Sequence, residues 1–373
     1  MSKKRIRLST HKKTEAANPN ENKTANNSQK LSSQSPAIAA RARLYRILLT
    51  RINFMLAASI ILTFTASIEI YEVIKIRQSA PIIATPSLNI NKTKTSALDI
   101  PSLPILDKCE KGVALSVIAH EDDDLLFMNP DVANAIKSGK CNRTVYITAG
   151  DDGQPADYWQ GRELGVKAAY ASMSHRDDSW QSTKGVISGH EFEVATLNGV
   201  PSIALVFLHL PDGRISGEGF LSDRGESLRK LRTGSIQSIH AISGKTSYTS
   251  DELIQVLAAI MNFDNPDTIN TQAFGPELKE GDHSDHQAAG YFTDKARHSY
   301  RGDYTFLMYL GYQAGHMPIN LSPADITIKR AVFATYQQYD TSICKGLVGC
   351  RGAYTYANYM QRQYVYKTET VVN

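Results

Sequence analysis

The sequence predicts an α/β fold with a mostly parallel sheet, helices on both of its faces, and a single membrane-spanning helix before it. Three observations point there. From about residue 108, short apolar runs of strand length alternate with helix-length segments. Loops rich in Asp and His follow several of those runs, where open α/β sheets bind ligands. Residues 52–71 form a twenty-residue stretch with one charge, Glu69, long enough to cross a bilayer.

The chain has 373 residues, 42% of them hydrophobic, enough for one large domain or two small ones. Its net charge of +4 is unevenly placed. Residues 1–51 hold twelve Lys/Arg against two acids, and the rest holds 29 against 35. The folded part is therefore mildly acidic, which argues against nucleic acid as a partner.

Residues 1–51 read as a disordered basic tail. Lys, Asn, Ser, Thr and Gln dominate it, and it lacks the apolar surface to offset its ordering entropy. Arg41, Arg43, Arg46 and Arg51 precede the apolar stretch 52–71, which predicts a signal-anchor helix with the tail in the cytoplasm and the bulk of the chain outside. The long polar tail and the lack of a small-residue cleavage site oppose a removed signal peptide. Residues 72–107, with Pro81, Pro86, Pro101 and Pro104, read as a linker. Residues 108–373 form the folded domain.

Within that domain, 113–118 is a strand and 130–137 a short helix. Residues 144–148 form a second strand, followed by a helix over 157–173. A third strand spans 202–209. Thr249-Ser250-Asp251-Glu252 is a capping box that opens a helix through Ile260. Residues 268–273 are a fourth strand, 285–296 a helix, and 306–310 a fifth strand. The polar stretch 174–200 reads as an irregular insertion. Four cysteines, Cys109, Cys141, Cys344 and Cys350, suit two disulfides outside the cytoplasm: Cys109 and Cys141 precede neighbouring strands, and Cys344 and Cys350 close a short loop. Buried free thiols are the alternative.

Two constellations carry chemistry. The first is His120-Glu121-Asp122-Asp123-Asp124, directly after the first strand. His120 and Asp123, three apart in a tight loop, can share a metal, and imidazole with carboxylate suits zinc or another first-row divalent ion. The second is Asp282-His283-Ser284-Asp285-His286, after the fourth strand and so at the same sheet edge. Two such clusters at one edge suit a catalytic metal with three protein ligands and an open water position. A magnesium phosphohydrolase is disfavoured, because Mg²⁺ prefers oxygen ligands. Two weaker elements share that edge. One is Thr148-Ala149-Gly150-Asp151-Asp152-Gly153 with Arg162 downstream, which suits either a polar substrate or an acidic neighbour. The other is Leu210-Pro211-Asp212-Gly213, a strong turn sequence.

The Ala-His-x-Asp-Asp loop, the Thr-x-Gly-Asp loop with its Arg-Glu, the Leu-Pro-Asp-Gly turn and the His-x-Asp-His element stand in the order found in PIG-L/LmbE-like de-N-acetylases. The resemblance covers about residues 111–340. It implies a Rossmann-like sheet that binds no dinucleotide and a zinc-dependent hydrolase of N-acetylglucosamine-type amides. By position it implies His120, Asp123 and His286 as metal ligands and Asp122 as the general base. It further implies that His283 stabilises the charged intermediate or protonates the leaving amine, and that Asp285 orients an imidazole. Arg162, Asp212 and Asp151 would contact the sugar. The sequence departs from the family at Glu121, usually Pro, and at Asp124, usually Glu. Where some members carry a carbonyl-polarising Tyr, Glu280-Gly281-Asp282 stands, leaving that role unassigned. The partners implied are an N-acetylated sugar or glycolipid and the membrane. The rival readings are an amidase for another sugar conjugate and a non-catalytic glycan-binding protein.

Overall fold

The computed structural model describes residues 101–244, 246–278, 281–343 and 356–373. The expected tail 1–51, the span 52–71, and Cys344 with Cys350 lie outside the described residues. Among the described residues, no helix is long and apolar enough to cross a membrane.

The chain starts the domain with strand β1 (Val113–Ile118), a helical turn over Asp124–Met128, helix α1 (Asp131–Lys137), β2 (Cys141–Thr148) and α2 (Ala156–Met173). Strands β3 (Trp180–Ile187), β4 (His190–Leu197) and β5 (Ile203–Leu210) follow. Then come α3 (Leu228–Arg232), β6 (Ser238–His240), β7 (Ser247–Thr249), α4 (Ser250–Asp264), β8 (Thr268–Gln272) and α5 (Ser284–Arg297). The chain closes with β9 (Tyr304–Tyr309), α6 (Pro323–Tyr336), α7 (Tyr356–Tyr359) and β10 (Val365–Val371).

Eight strands form one sheet in the order β10-β9-β8-β1-β2-β5-β4-β3, and β6 and β7 make a separate pair. The five central strands run parallel: β1 pairs with β2 and β8, β2 with β5, and β8 with β9. Antiparallel strands close both edges. β1 and β5 are buried along their full length, which is why they read as continuous apolar runs. Along β1, Leu115 and Val117 enter one core and Ile118 the other, as the two-residue period of a strand requires. The first core packs against α4 and α5 through Leu253, Leu257 and Phe292. The second packs against α2 and α6 through Val166, Tyr170 and Phe333. The capping box at Thr249 and Glu252 is formed, and α4 runs on to Asp264.

The structure corrects the reading of residues 174–200. They form the β3–β4 hairpin, which adds two antiparallel strands beyond β5. Its polar face is solvent-exposed, so the apolar signal alternates and is easily taken for loop. Residues 101–107, read from sequence as the end of a linker, lie against the domain. Leu103 is buried, Ser102 pairs with Val186, and Arg143 donates to the Pro104 carbonyl at 2.7 Å. Cys109 and Cys141 are joined in a disulfide.

Beyond β1 the chain turns one way to β2, and it returns through β8 on β1's other side. The C-terminal ends of β1 and β8 thus flank a topological switch point, where sheets of this class bind ligands.

Candidate metal centre

Both histidine–aspartate loops emerge at that switch point. The Ala119 N–H donates to Gln272 Oε1 of β8 at 3.0 Å, so the loop after β1 is tied to the strand that delivers the second loop. The His120 N–H donates to Asp123 Oδ2 at 2.6 Å, curling the loop until both side chains share one side. His120 Nδ1 lies 3.2 Å from Asp123 Oδ2, and His286 Nε2 lies 2.9 Å from Asp123 Oδ1. All three side chains are buried.

His286 stands in the first turn of α5, whose N-cap, His283, accepts from the Asp285 N–H at 3.3 Å. The other nitrogen of each metal-facing imidazole meets a carboxylate. His286 Nδ1 is 2.8 Å from Asp282 Oδ1, and His120 Nε2 is 3.4 Å from Asp285 Oδ2. Such carboxylate–imidazole pairs set the tautomer and basicity of metal-binding histidines. Close packing supports them. A Cβ on Gly213 would meet Asp285 Oδ1 at 2.5 Å, and one on Gly311 would meet Asp282 Oδ1 at 2.5 Å.

His120, Asp123 and His286 fit a metal ion. Their ligand atoms converge within 4.8 Å of one another, and His286 Nε2 is buried facing Asp123 Oδ1. Two imidazoles and one carboxylate are a zinc-type set with a position left for water. Burial lowers the proton affinity of His286, but Asp123 and Asp282 outweigh it and raise its pKa to about 10. Burial raises that of Asp123, and His286 and His120 reverse this, holding it well below the usual carboxylate range. A metal entering this group would compete with the proton on His286.

Asp122 is oriented separately. Arg162 reaches from α2 to donate to Asp122 Oδ1 and the Gly150 carbonyl, both at 2.6 Å, and to Tyr336 Oη at 3.0 Å. Burial raises the pKa of Asp122, and Arg162 only partly opposes it. Of the two options that the sequence left for Arg162, the structure displays pairing with an acidic neighbour. Asp212 Oδ2 lies 3.5 Å from His120 Nε2, and its Oδ1 lies 3.7 Å from His283 Nε2. Asp151 sits behind it, accepting from the Asp212 N–H at 2.8 Å. Burial and nearby His120 push the His283 pKa down to about 3, so its ring is neutral at physiological pH.

The two departures from the family motif sort themselves by contacts. Asp124 turns away from the cluster and accepts from Tyr146 at 3.0 Å and Tyr170 at 2.5 Å, burial raising its pKa to about 7. Glu121 is fully buried, 3.5 Å from Arg162 Nε, and burial raises its pKa well above normal. Neither carboxylate belongs to the metal-facing group.

Asp122 and Asp123 line a cavity of about 450 Å³ together with Leu126, Tyr312, Tyr356 and Tyr359. The sequence reading omitted these tyrosines, and it also omitted Asp282 as the partner of His286. Asp282 had a signal, its place four residues before His286. The tyrosines had none, because they lie after β9 and in α7, far from any motif.

The model of the family described as GlcNAc-PI de-N-acetylase, PIG-L, matches residues 115–297. Over that stretch the chain is PIG-L-like. The match spans all four motifs, the two metal-facing loops among them, and it supports an amide-hydrolysing de-N-acetylase. Among solved structures, similar ones include the 4-carboxy-2-hydroxymuconate hydratase GalB of Pseudomonas putida, at 13% identity over 70% of this chain and 97% of that one, with a TM-score of 0.37. Another is the N,N'-diacetylchitobiose deacetylase of Pyrococcus horikoshii, at 12% over 63% and 73%, TM-score 0.37. A third is the zinc-inhibited form of the teicoplanin deacetylase Orf2, at 14% over 60% and 83%, TM-score 0.32. No curated protein matches the sequence.

Proposed function

We propose that this protein is a zinc-dependent de-N-acetylase that removes the acetyl group from an N-acetylglucosamine-type unit of a glycan or glycoconjugate. The observation that carries the reading is the convergence of His120, Asp123 and His286 beside an independently clamped Asp122. Zinc, or another first-row divalent ion held by those three residues, would supply a water of lowered pKa and polarise the amide carbonyl.

The chain's own residues do the rest. Asp122, held at Oδ1 by Arg162, takes the proton of the attacking water and passes it to the departing amine. Its raised pKa brings it nearer neutrality, where a base also serves as an acid. His283 is neutral, so it enters as a hydrogen-bond donor to the developing oxyanion and not as a standing acid. Asp285 and Asp282 fix the rings of His120 and His286. Asp212, braced from behind by Asp151, would accept from a hydroxyl of the sugar. The products are acetate and a free amino sugar.

The arginines preceding residues 52–71 and the Cys109–Cys141 bridge support an active domain outside the cytoplasm, anchored by one N-terminal helix. Its substrates there would be surface glycans or glycolipid headgroups. The test is acetate release from a panel of N-acetylated glycans, with and without chelator. Chelator-sensitive acetate release is expected. Amine released without acetate would favour an amidase for another conjugate, and saturable binding without turnover would favour a glycan-binding protein. Protection of the C-terminal domain from protease in intact cells would refute the orientation.

A further inference from the structure

A second relay of side chains lies outside the metal centre. Ser243 Oγ is 2.7 Å from His209 Nδ1, and His209 Nε2 is 2.5 Å from Glu163 Oε1. His209 and Glu163 are buried, while Ser243 is exposed. The three come from separate elements: Glu163 from α2, His209 from β5, and Ser243 from the turn between β6 and β7. Ser243, His209 and Gly244 line a cavity of about 430 Å³ with Thr183, Lys184 and Phe192, and it shares no lining residue with the metal-site cavity.

The imidazole is firmly placed. Trp159 packs against it at 5.0 Å and Phe207 stacks parallel to it at 6.0 Å between ring centroids. The Ile242 N–H donates to the His209 carbonyl at 2.8 Å, tying the serine's loop to the histidine's strand. His209 has φ +55°, a left-handed conformation that is costly for a residue with a Cβ and that clusters at functional sites. Gly244, next after the serine, holds its N–H only 3.5 Å from the Ala241 carbonyl, and a Cβ there would meet nothing within 4 Å. An oxyanion would have to draw that N–H from the Ala241 carbonyl before it served as the donor that follows a nucleophile.

Glu163, Glu193 and His209 also lie close enough together to hold a metal ion. Lys167 Nζ, however, sits 3.2 Å from Glu193 Oε1 and 3.9 Å from Glu163 Oε2. An ammonium group in that gap repels a metal ion.

We propose that Ser243 and His209, positioned by Glu163, form a second and metal-independent site that hydrolyses small acyl esters. The ring acts in the reverse sense to chymotrypsin-like triads, with Nδ1 facing the serine and Nε2–H facing the carboxylate. Ser243 Oγ bonds to the ester carbonyl carbon while its proton passes to His209 Nδ1. The bond to the alcohol oxygen breaks, and that oxygen takes the proton from His209. Water then attacks the acyl-serine through the same imidazole, releasing the acid and restoring Ser243.

The experiment treats the full chain with a fluorophosphonate, which phosphonylates activated serines, and reads the adduct by intact mass and peptide mapping. One adduct per chain is expected, on Ser243, at the same rate with and without chelator, and absent from Ser243→Ala. Hydrolysis of p-nitrophenyl acetate in chelator should fall about 100-fold in that variant. Ser243 is exposed, so its loss leaves the melting temperature unchanged. Glu163→Gln should slow labelling at an unchanged melting temperature, and Glu163→Asp should restore part of the rate, because the imidazole regains a carboxylate partner. No adduct under conditions that saturate a serine esterase, an adduct that survives Ser243→Ala, or labelling that requires metal overturns the proposal. An unchanged labelling rate in Glu163→Gln, or no recovery in Glu163→Asp, removes Glu163 from it.

Discussion

Asp282→Asn isolates the support of His286, the proposed metal ligand, from the ligand itself. Asp282 Oδ1 accepts from His286 Nδ1 at 2.8 Å, from the His283 N–H at 3.0 Å and from the Tyr312 N–H at 3.1 Å. Asparagine keeps the shape and an accepting oxygen, so the two backbone contacts survive and only the negative charge goes. Without it the imidazole is a weaker donor. Loss of a carboxylate behind a metal-binding histidine typically costs about 10–100-fold in metal affinity, or roughly 1.4–2.7 kcal/mol. The proton competing for Nε2 is also weakened, but it carries one charge and a divalent metal two, so the metal loses more. Zinc titration against a competing chelator at fixed pH measures the effect, with melting temperature as the control for folding. An affinity within twofold of wild type, in a variant that melts normally, would refute the assigned role of Asp282. His286→Ala, by contrast, should lose stoichiometric zinc altogether.

Three further outcomes are expected. Asp122→Asn should retain metal but release acetate about 10²–10⁴-fold more slowly; full turnover would remove Asp122 as the base. Because burial raises the pKa of Asp122, and a base must be ionised, kcat/KM should fall with decreasing pH along a limb lying above the ordinary carboxylate value; a limb near pH 4, read from initial rates across pH, would contradict this. Lys329 is buried, its Nζ donating to the Arg362 carbonyl at 2.6 Å, and burial lowers its pKa to about 7, with Asp131 opposing only partly. The unfolded chain holds that proton up to about pH 10.4, so the penalty is complete below about 7 and fades as pH rises toward 10.4, amounting to ~5 kcal/mol at most. Urea midpoints should therefore increase from pH 7 to pH 9.5, and Lys329→Met should flatten that slope.

Much of the sheet was legible because its central strands are buried on both faces. Residues 113–118 needed no context, since six consecutive apolar or small residues have no other comfortable place. The β3–β4 hairpin was not legible, because an edge hairpin with one wet face mixes its signals. β10 lies after the last motif and pairs antiparallel with β9, a contact between distant segments that no local pattern announces. The two His/Asp loops were legible one by one, as histidines and carboxylates too dense for an idle loop.

The sequence by itself determined the chemistry on offer: two imidazoles and two carboxylates in loops that follow strands or open the next helix. It did so because residue type and short spacing are local properties. Only the tertiary structure decided which groups meet. It laid β8 beside β1, which brought His286 to Asp123 across more than 160 residues, and it aimed Arg162 at Asp122. It also drew Ser243, His209 and Glu163 into line from three elements that share no motif. Packing against a common core sets those distances, and no stretch of chain carries them alone.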